Sequence, residues 1–186
     1  MFINEKDVKP NQYKYLCSSG MWDVLHAGHK YTLKKQFEFG QIITIGLVDI
    51  PGRLAVCSKL KEYISPAKER MKELEKYIKQ EIKPTKPYEI KYFKTDTEAQ
   101  DYFTQARKNG KMDAFIFSEK DKTHVCIKGV LDTVLGIFKG QGFTFCDIIL
   151  TEIQKNEKGL IISSSAIRSK KYIKEQCPNL YRERKQ

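Results

Sequence analysis

Apolar residues in this chain gather into short, nearly continuous runs. Between those runs they recur every three or four positions. The runs at 13–17, 42–48, 88–93, 114–117 and 143–150 predict five strands. The run over 42–48, I-I-T-I-G-L-V, is apolar almost throughout, as in a parallel strand buried on both faces. Leu33, Phe37 and Phe39 predict a helix that begins at His26 or Gly28 and stops at Gly40. Pro66 opens a second helix, running to about Lys79, with Met71, Leu74 and Ile78 along one face. A polar helix over 97–109 is halted by Asn109-Gly110. Another, over about 125–139, carries Ile127, Val130, Leu131, Val134, Leu135 and Phe138.

Strands that alternate with helices predict an α/β fold. The expected architecture is a Rossmann-like, doubly wound parallel sheet of five strands in a single domain over 13–176. Residues 1–12 read as a flexible lead-in and 177–186 as a basic tail that follows a basic helix. Ligands of such sheets bind beyond the carboxyl ends of the strands. Three polar stretches lie there: the one starting at Ser18, the one at Asp49 and the one at Ser118. Residues 49–64, with Pro51, Gly52, Arg53, Lys59 and Lys61, read as a mobile loop over that end.

The totals narrow the classes. Of the 186 residues, 40% are hydrophobic and 31% charged, which describes an ordinary folded chain rather than a disordered one. No apolar run approaches the roughly 20 residues of a membrane helix, and the amino-terminal stretch lacks the apolar core of a signal peptide. Five scattered cysteines without a Cys-x-x-Cys pair fit reduced thiols in the cytoplasm and argue against zinc. A net charge of +11 favours anionic partners, but the lysines are spread along the whole chain. Nucleic-acid binding calls for a clustered patch, so phosphorylated small molecules fit better.

Candidate chemistry concentrates in C-S-S-G-M-W-D-V-L-H-A-G-H, which links the first strand to the first helix. A small-residue turn that feeds a helix near Gly28 aims backbone N–H groups and positive dipole potential at whatever lies above it. His26 and His29 share one face of that helical turn. Such a pair could hold a metal, although no third ligand is placed. It could exchange protons near neutrality, or donate to phosphate oxygens whose charge shifts during a reaction. Asp23 beside them could orient a histidine or sit near a metal.

The run G-M-W-D-V-L-H-A-G-H resembles the His-x-Gly-His signature of the nucleotidylyltransferase superfamily. The run I-S-S-S-A-I-R, ending at Arg168, is similar to its second signature, Ser-Ser-x-x-x-Arg. Within the superfamily the chain resembles the archaeal and eukaryotic phosphopantetheine adenylyltransferase family. I-G-L-V-D, S-K-L, P-A-K-E-R-M and A-F-I-F-S-E-K carry that resemblance over about 13–182. Cytidylyltransferases of the superfamily carry Arg-Thr before a Ser-Thr-Thr-like run, which is absent here. The P-loop of the kinase to which eukaryotic relatives are often fused is absent too.

The resemblance implies transfer of an adenylyl group from ATP, with Mg2+, to 4′-phosphopantetheine, giving dephospho-coenzyme A and pyrophosphate. It implies catalytic roles for His29, His26 and Lys59, with Lys61 as the alternative loop lysine. Nucleotide contacts would come from Met21, Trp22, Asp23, His26, Gly28, His29, Ser118, Ser163, Ser164, Ser165 and Arg168. Met21, Asp49, Lys59 and Lys61 would face the second substrate, and no protein metal site is expected. Met21-Trp22 departs from the family's threonine or glycine followed by phenylalanine. Nicotinamide or flavin mononucleotide as acceptor, or a nucleotide-binding protein without catalysis, are the alternative readings.

Overall fold

Six parallel strands lie side by side in the order β1-β6-β5-β2-β3-β4. They are β1 (Phe2–Asn4), β2 (Tyr13–Gly20), β3 (Gly40–Val48), β4 (Tyr88–Phe93), β5 (Ala114–Ser118) and β6 (Asp147–Thr151). The computed structural model describes residues 2–49, 64–118 and 146–162, together with Ser164 and Ile167. Helix α1 (Ala27–Phe39) follows β2, α2 (Ala67–Tyr77) precedes β4, and α3 (Asp96–Lys108) follows it. The chain leaves the centre through β3 and β4, then returns to the other side of β2 through β5 and β6. The reversal between β2 and β5 is the switch point at which such sheets bind ligands.

The two-residue pleat sorts the core into two layers. Leu16, Ile43, Ile45, Leu47, Ala114, Ile116 and Ile149 face one way, against Leu33 and Phe37 of α1 and Leu74 and Tyr77 of α2. Cys17, Val48, Phe93, Phe115, Phe117, Ile148 and Leu150 face the other way, with Phe103 of α3. Helices therefore cover both faces, as expected of a doubly wound sheet.

The strand count is six rather than five. The extra strand comes from the segment expected as a flexible lead-in, where Phe2 pairs with Ile148 and Asn4 with Leu150. Three residues with two apolar positions leave no periodic signal; pairing with β6 creates the strand. Glu5 then buries its carboxylate, which accepts from the Tyr31 hydroxyl (3.0 Å) and the Glu152 N–H (2.9 Å). Burial, with Glu5 beside it, pushes the Tyr31 phenol up to about 12.

Boundaries move for local reasons. Strand β2 runs through Ser18 and Ser19 to Gly20, because these residues continue the ladder with Ile45, Gly46 and Leu47. Helix α1 stops at Gly40, as expected, and the need there is space. A Cβ on Gly40 would stand 2.5 Å from Ile43 and 2.7 Å from Leu16. Helix α2 ends at Tyr77 and passes into a π-helical turn, Ile78–Ile82, closed by Lys83 in the left-handed region (φ 50°). The expected loop at 50–63, the helix over 125–139, residues 143–145 and the tail lie outside the described residues.

Gln36 ties α1 to the sheet. Its side chain is fully buried, donates to the carbonyls of Leu16 and Thr44 (both 3.1 Å) and accepts from Ser18 Oγ (2.8 Å). Gln36→Leu keeps the volume but leaves those three groups without this partner. We expect it to cost about 2–3 kcal/mol, read as a lower urea midpoint at unchanged m-value. A midpoint equal to wild type would show that the network contributes nothing.

Candidate active site

Beyond Gly20 the chain turns across the carboxyl end of the sheet before α1 begins. Trp22 and Val24 both take left-handed backbone (φ 51° and 49°). Neither residue type favours it, and for β-branched Val24 it is a clear outlier. Such conformations cost about 1–3 kcal/mol each and persist only where surrounding contacts over-determine them. The contacts here come from four directions. Trp22 Nε1 donates to Gly46 O of β3 (2.8 Å). Arg70 of α2 donates to Met21 O. The Ser65 N–H donates to Asp23 Oδ1 (3.2 Å). Ser164 Oγ, from the second signature, donates to Asp23 O (2.7 Å).

His26 ends this turn as the N-cap of α1, its Nδ1 accepting from the Gly28 N–H (3.1 Å). An accepting Nδ1 places the ring proton at Nε2. Gly28 makes the cap fit, because a Cβ there would come within 3.0 Å of the His26 ring. His29 stacks on His26 with centroids 3.9 Å apart and ring planes 23° apart. It also meets Trp22 at 5.3 Å and 62°, edge to face. The two histidines thus form one half-buried unit at the start of a helix, where the dipole favours anions.

A second cluster organises the neighbouring strand ends. The Arg70 side chain is completely buried, and its guanidinium donates to Ser65 O (2.8 Å), Met21 O, Val48 O (3.2 Å) and Asp49 Oδ1. The other Asp49 oxygen accepts from the Tyr92 hydroxyl (3.1 Å). Both oxygens of Asp49, expected to face a substrate, are thus held by protein groups. Asp23, fully buried, likewise serves as a joint between segments.

Residues 154–162 fold back on themselves. Lys155 bridges Ile161, and Asn156 Oδ1 accepts from the N–H groups of Lys158 and Leu160. The return brings Ile162 O to 4.0 Å from a Cβ position on Gly28. Met21, Trp22, Asp23, His26, Gly28 and His29 therefore share one strand end with Ser164. Asp49 and Ser118 close the adjacent strands β3 and β5. Lys59, Lys61, Ser163, Ser165 and Arg168 lie outside the described residues.

Reading the sequence missed Arg70, Ser65, Gly46 and Tyr92. Arg70 had a signal, since it lies four residues before Leu74 on the inward stripe of α2, where a charged side chain must be buried and paired. The others carried none: two act through backbone atoms, and Tyr92 reads as ordinary strand.

The model of the cytidylyltransferase-like family matches residues 18–170. The chain belongs to that family, which is one of nucleotidyltransferases. The match spans both signatures and the strand ends between them. Curated relatives are archaeal phosphopantetheine adenylyltransferases, in line with the resemblance carried by the motifs. The protein of Pyrococcus horikoshii is 31% identical over 85% of this chain and 90% of its own. That of Thermococcus kodakarensis is 32% identical over 85% and 86%, and that of Pyrococcus furiosus 28% over 85% and 89%. Among the described residues no helix is long and apolar enough to cross a membrane.

The Arg70 cluster makes a stability prediction for this member of the family. Lysine cannot reach four divergent acceptors from one atom. Arg70→Lys keeps the charge but leaves buried carbonyl acceptors unmatched, and should therefore cost about 1–3 kcal/mol. The measurement is chemical denaturation; a loss under 1 kcal/mol would show that one ammonium satisfies the cluster.

Proposed function

We propose that this chain transfers the adenylyl group of ATP to 4′-phosphopantetheine in coenzyme A biosynthesis, and does so in the cytoplasm. A phosphate oxygen of the acceptor attacks the α-phosphorus in line, and the bond from that phosphorus to the pyrophosphate oxygen breaks. Dephospho-coenzyme A and pyrophosphate leave, and no group on the protein is modified. Catalysis is then placement of two anions with stabilisation of moving charge.

The observation that carries this reading is the junction of the two signatures. Ser164 Oγ bonds the carbonyl of Asp23, three residues before a histidine that caps the helix carrying the second one. This contact supports a reading in which the two signatures form one triphosphate site. The relatives' names supply the acceptor.

In this reading His26 and His29 contact the triphosphate, and His29 donates to the oxygens that gain charge in the transition state. Lys59 spans the attacking phosphate and the α-phosphate. Ser163 and Ser165 cradle the β- and γ-phosphates through hydroxyls and N–H groups, and Ser164, whose hydroxyl is donated to Asp23 O, through its N–H alone. Arg168 adds a bidentate clamp, and Ser118 lies near the adenosine. Met21 and Trp22 contribute backbone where relatives present a threonine hydroxyl. Magnesium arrives with ATP.

Pyrophosphate release from ATP and magnesium, measured with each acceptor in turn, tests the acceptor. Release with 4′-phosphopantetheine, and not with nicotinamide or flavin mononucleotide, is expected. Release with a mononucleotide instead would reassign the substrate, and none with any acceptor would make the chain a binding protein. His29→Ala should lower kcat on the order of 100-fold, and near-normal turnover would remove His29 from the mechanism. Lys59→Ala should weaken turnover more than Lys61→Ala; the reverse order would make Lys61 the loop lysine.

A further inference from the structure

We propose that Trp22 is a positioning residue, acting on the reaction through His29 by fixing where that imidazole sits against His26. The inference rests on the reading of His29 as the donor given above.

Trp22 stands in the first signature run, where the resemblance implies a nucleotide contact made through its backbone. Its indole points inward and is 4% exposed. Its ring packs on Gly20, where a Cβ would stand 3.3 Å away. Its N–H is anchored on Gly46 O, 2.8 Å away.

That anchor is rigid. A Cβ on Gly46 would meet Phe93 at 3.0 Å, Ser19 Oγ at 3.1 Å and Phe103 at 3.2 Å, so the backbone of β3 is closely hemmed there. From this fixed point a line of contacts leads outward. Gly46 holds the indole, the indole meets His29 edge to face, His29 stacks on His26, and His26 caps α1 through Gly28. His29 therefore contacts two rings, each tied to backbone by a hydrogen bond.

Phenylalanine at this position would fill most of the space but has no N–H, so its angle would be set by packing alone. The family carries phenylalanine here; in this chain the indole adds a directional constraint on the donor that phenylalanine lacks. A purely structural tryptophan would stabilise the fold without caring what lies on its far edge.

A double-mutant cycle separates the two roles. Trp22→Phe should lower kcat about tenfold with the KM for ATP changed less than about twofold, and in a His29→Ala background it should cost less than about twofold. Equal cost in both backgrounds, or no cost in the wild type, would overturn the proposal.

NMR of the His29 ring distinguishes a failure here from a failure of the donor reading. Ring resonances that move in Trp22→Phe, while His29→Ala leaves turnover intact, would keep the positioning contact and remove the donor role. Unmoved resonances alongside lost activity would overturn the proposal. Should Trp22→Phe not fold, the wild type still answers, because Trp22 is its sole tryptophan. ATP with magnesium should change its emission in the wild type and not in His29→Ala, and unchanged emission in the wild type would overturn the proposal.

Discussion

The carboxyl rim of this sheet depends on one buried guanidinium. Three backbone carbonyls, from the ends of β2 and β3 and the approach to α2, converge with the partly exposed Asp49 carboxylate on a guanidinium that is itself fully buried. Without a cation, four negative ends of dipoles and charges would face one another in a medium that screens them poorly. Arg70 converts that repulsion into four hydrogen bonds. The desolvation of its own charge is offset only because the acceptors are complete. A planar fork reaches divergent acceptors; a lysine ammonium does not. The turn bearing the histidines starts at one of these carbonyls, so its position is inherited from Arg70.

How much of this is legible in the sequence depends on where the information lies. Continuous apolar runs announce β3 and β5, since a buried strand has little alternative composition. Strand β1 escapes because its three residues become a strand only through β6. The histidine pair and the serine run announce themselves by residue type and spacing. Their joining does not: a hydroxyl in the sequence carries no address, and Ser164 finds its partner in a backbone carbonyl far along the chain. Asp23, Asp49 and Trp22 are contacts implied by the family resemblance, and the sequence does not show the internal partners that also hold them: Ser65 for Asp23, Arg70 and Tyr92 for Asp49, Gly46 for Trp22.

At this end of the sheet the fold must supply, above all, the shape of the turn that leads to the histidines. The magnitudes show how closely that shape is balanced. Left-handed backbone at Trp22 and Val24 costs about 2–6 kcal/mol together. Against this stand four anchoring hydrogen bonds at about 0.5–1.5 kcal/mol each, and burial of the indole at about 2–3 kcal/mol. The sums are of similar size, so the conformation holds only while most of its anchors hold. Those anchors come from β3, from α2 and its approach, and from the second signature. The histidines are therefore set in place when separate parts of the chain have docked, which ties the geometry of the histidine pair to completion of the fold. The second signature is thus a structural member of the turn as well as a neighbour to it.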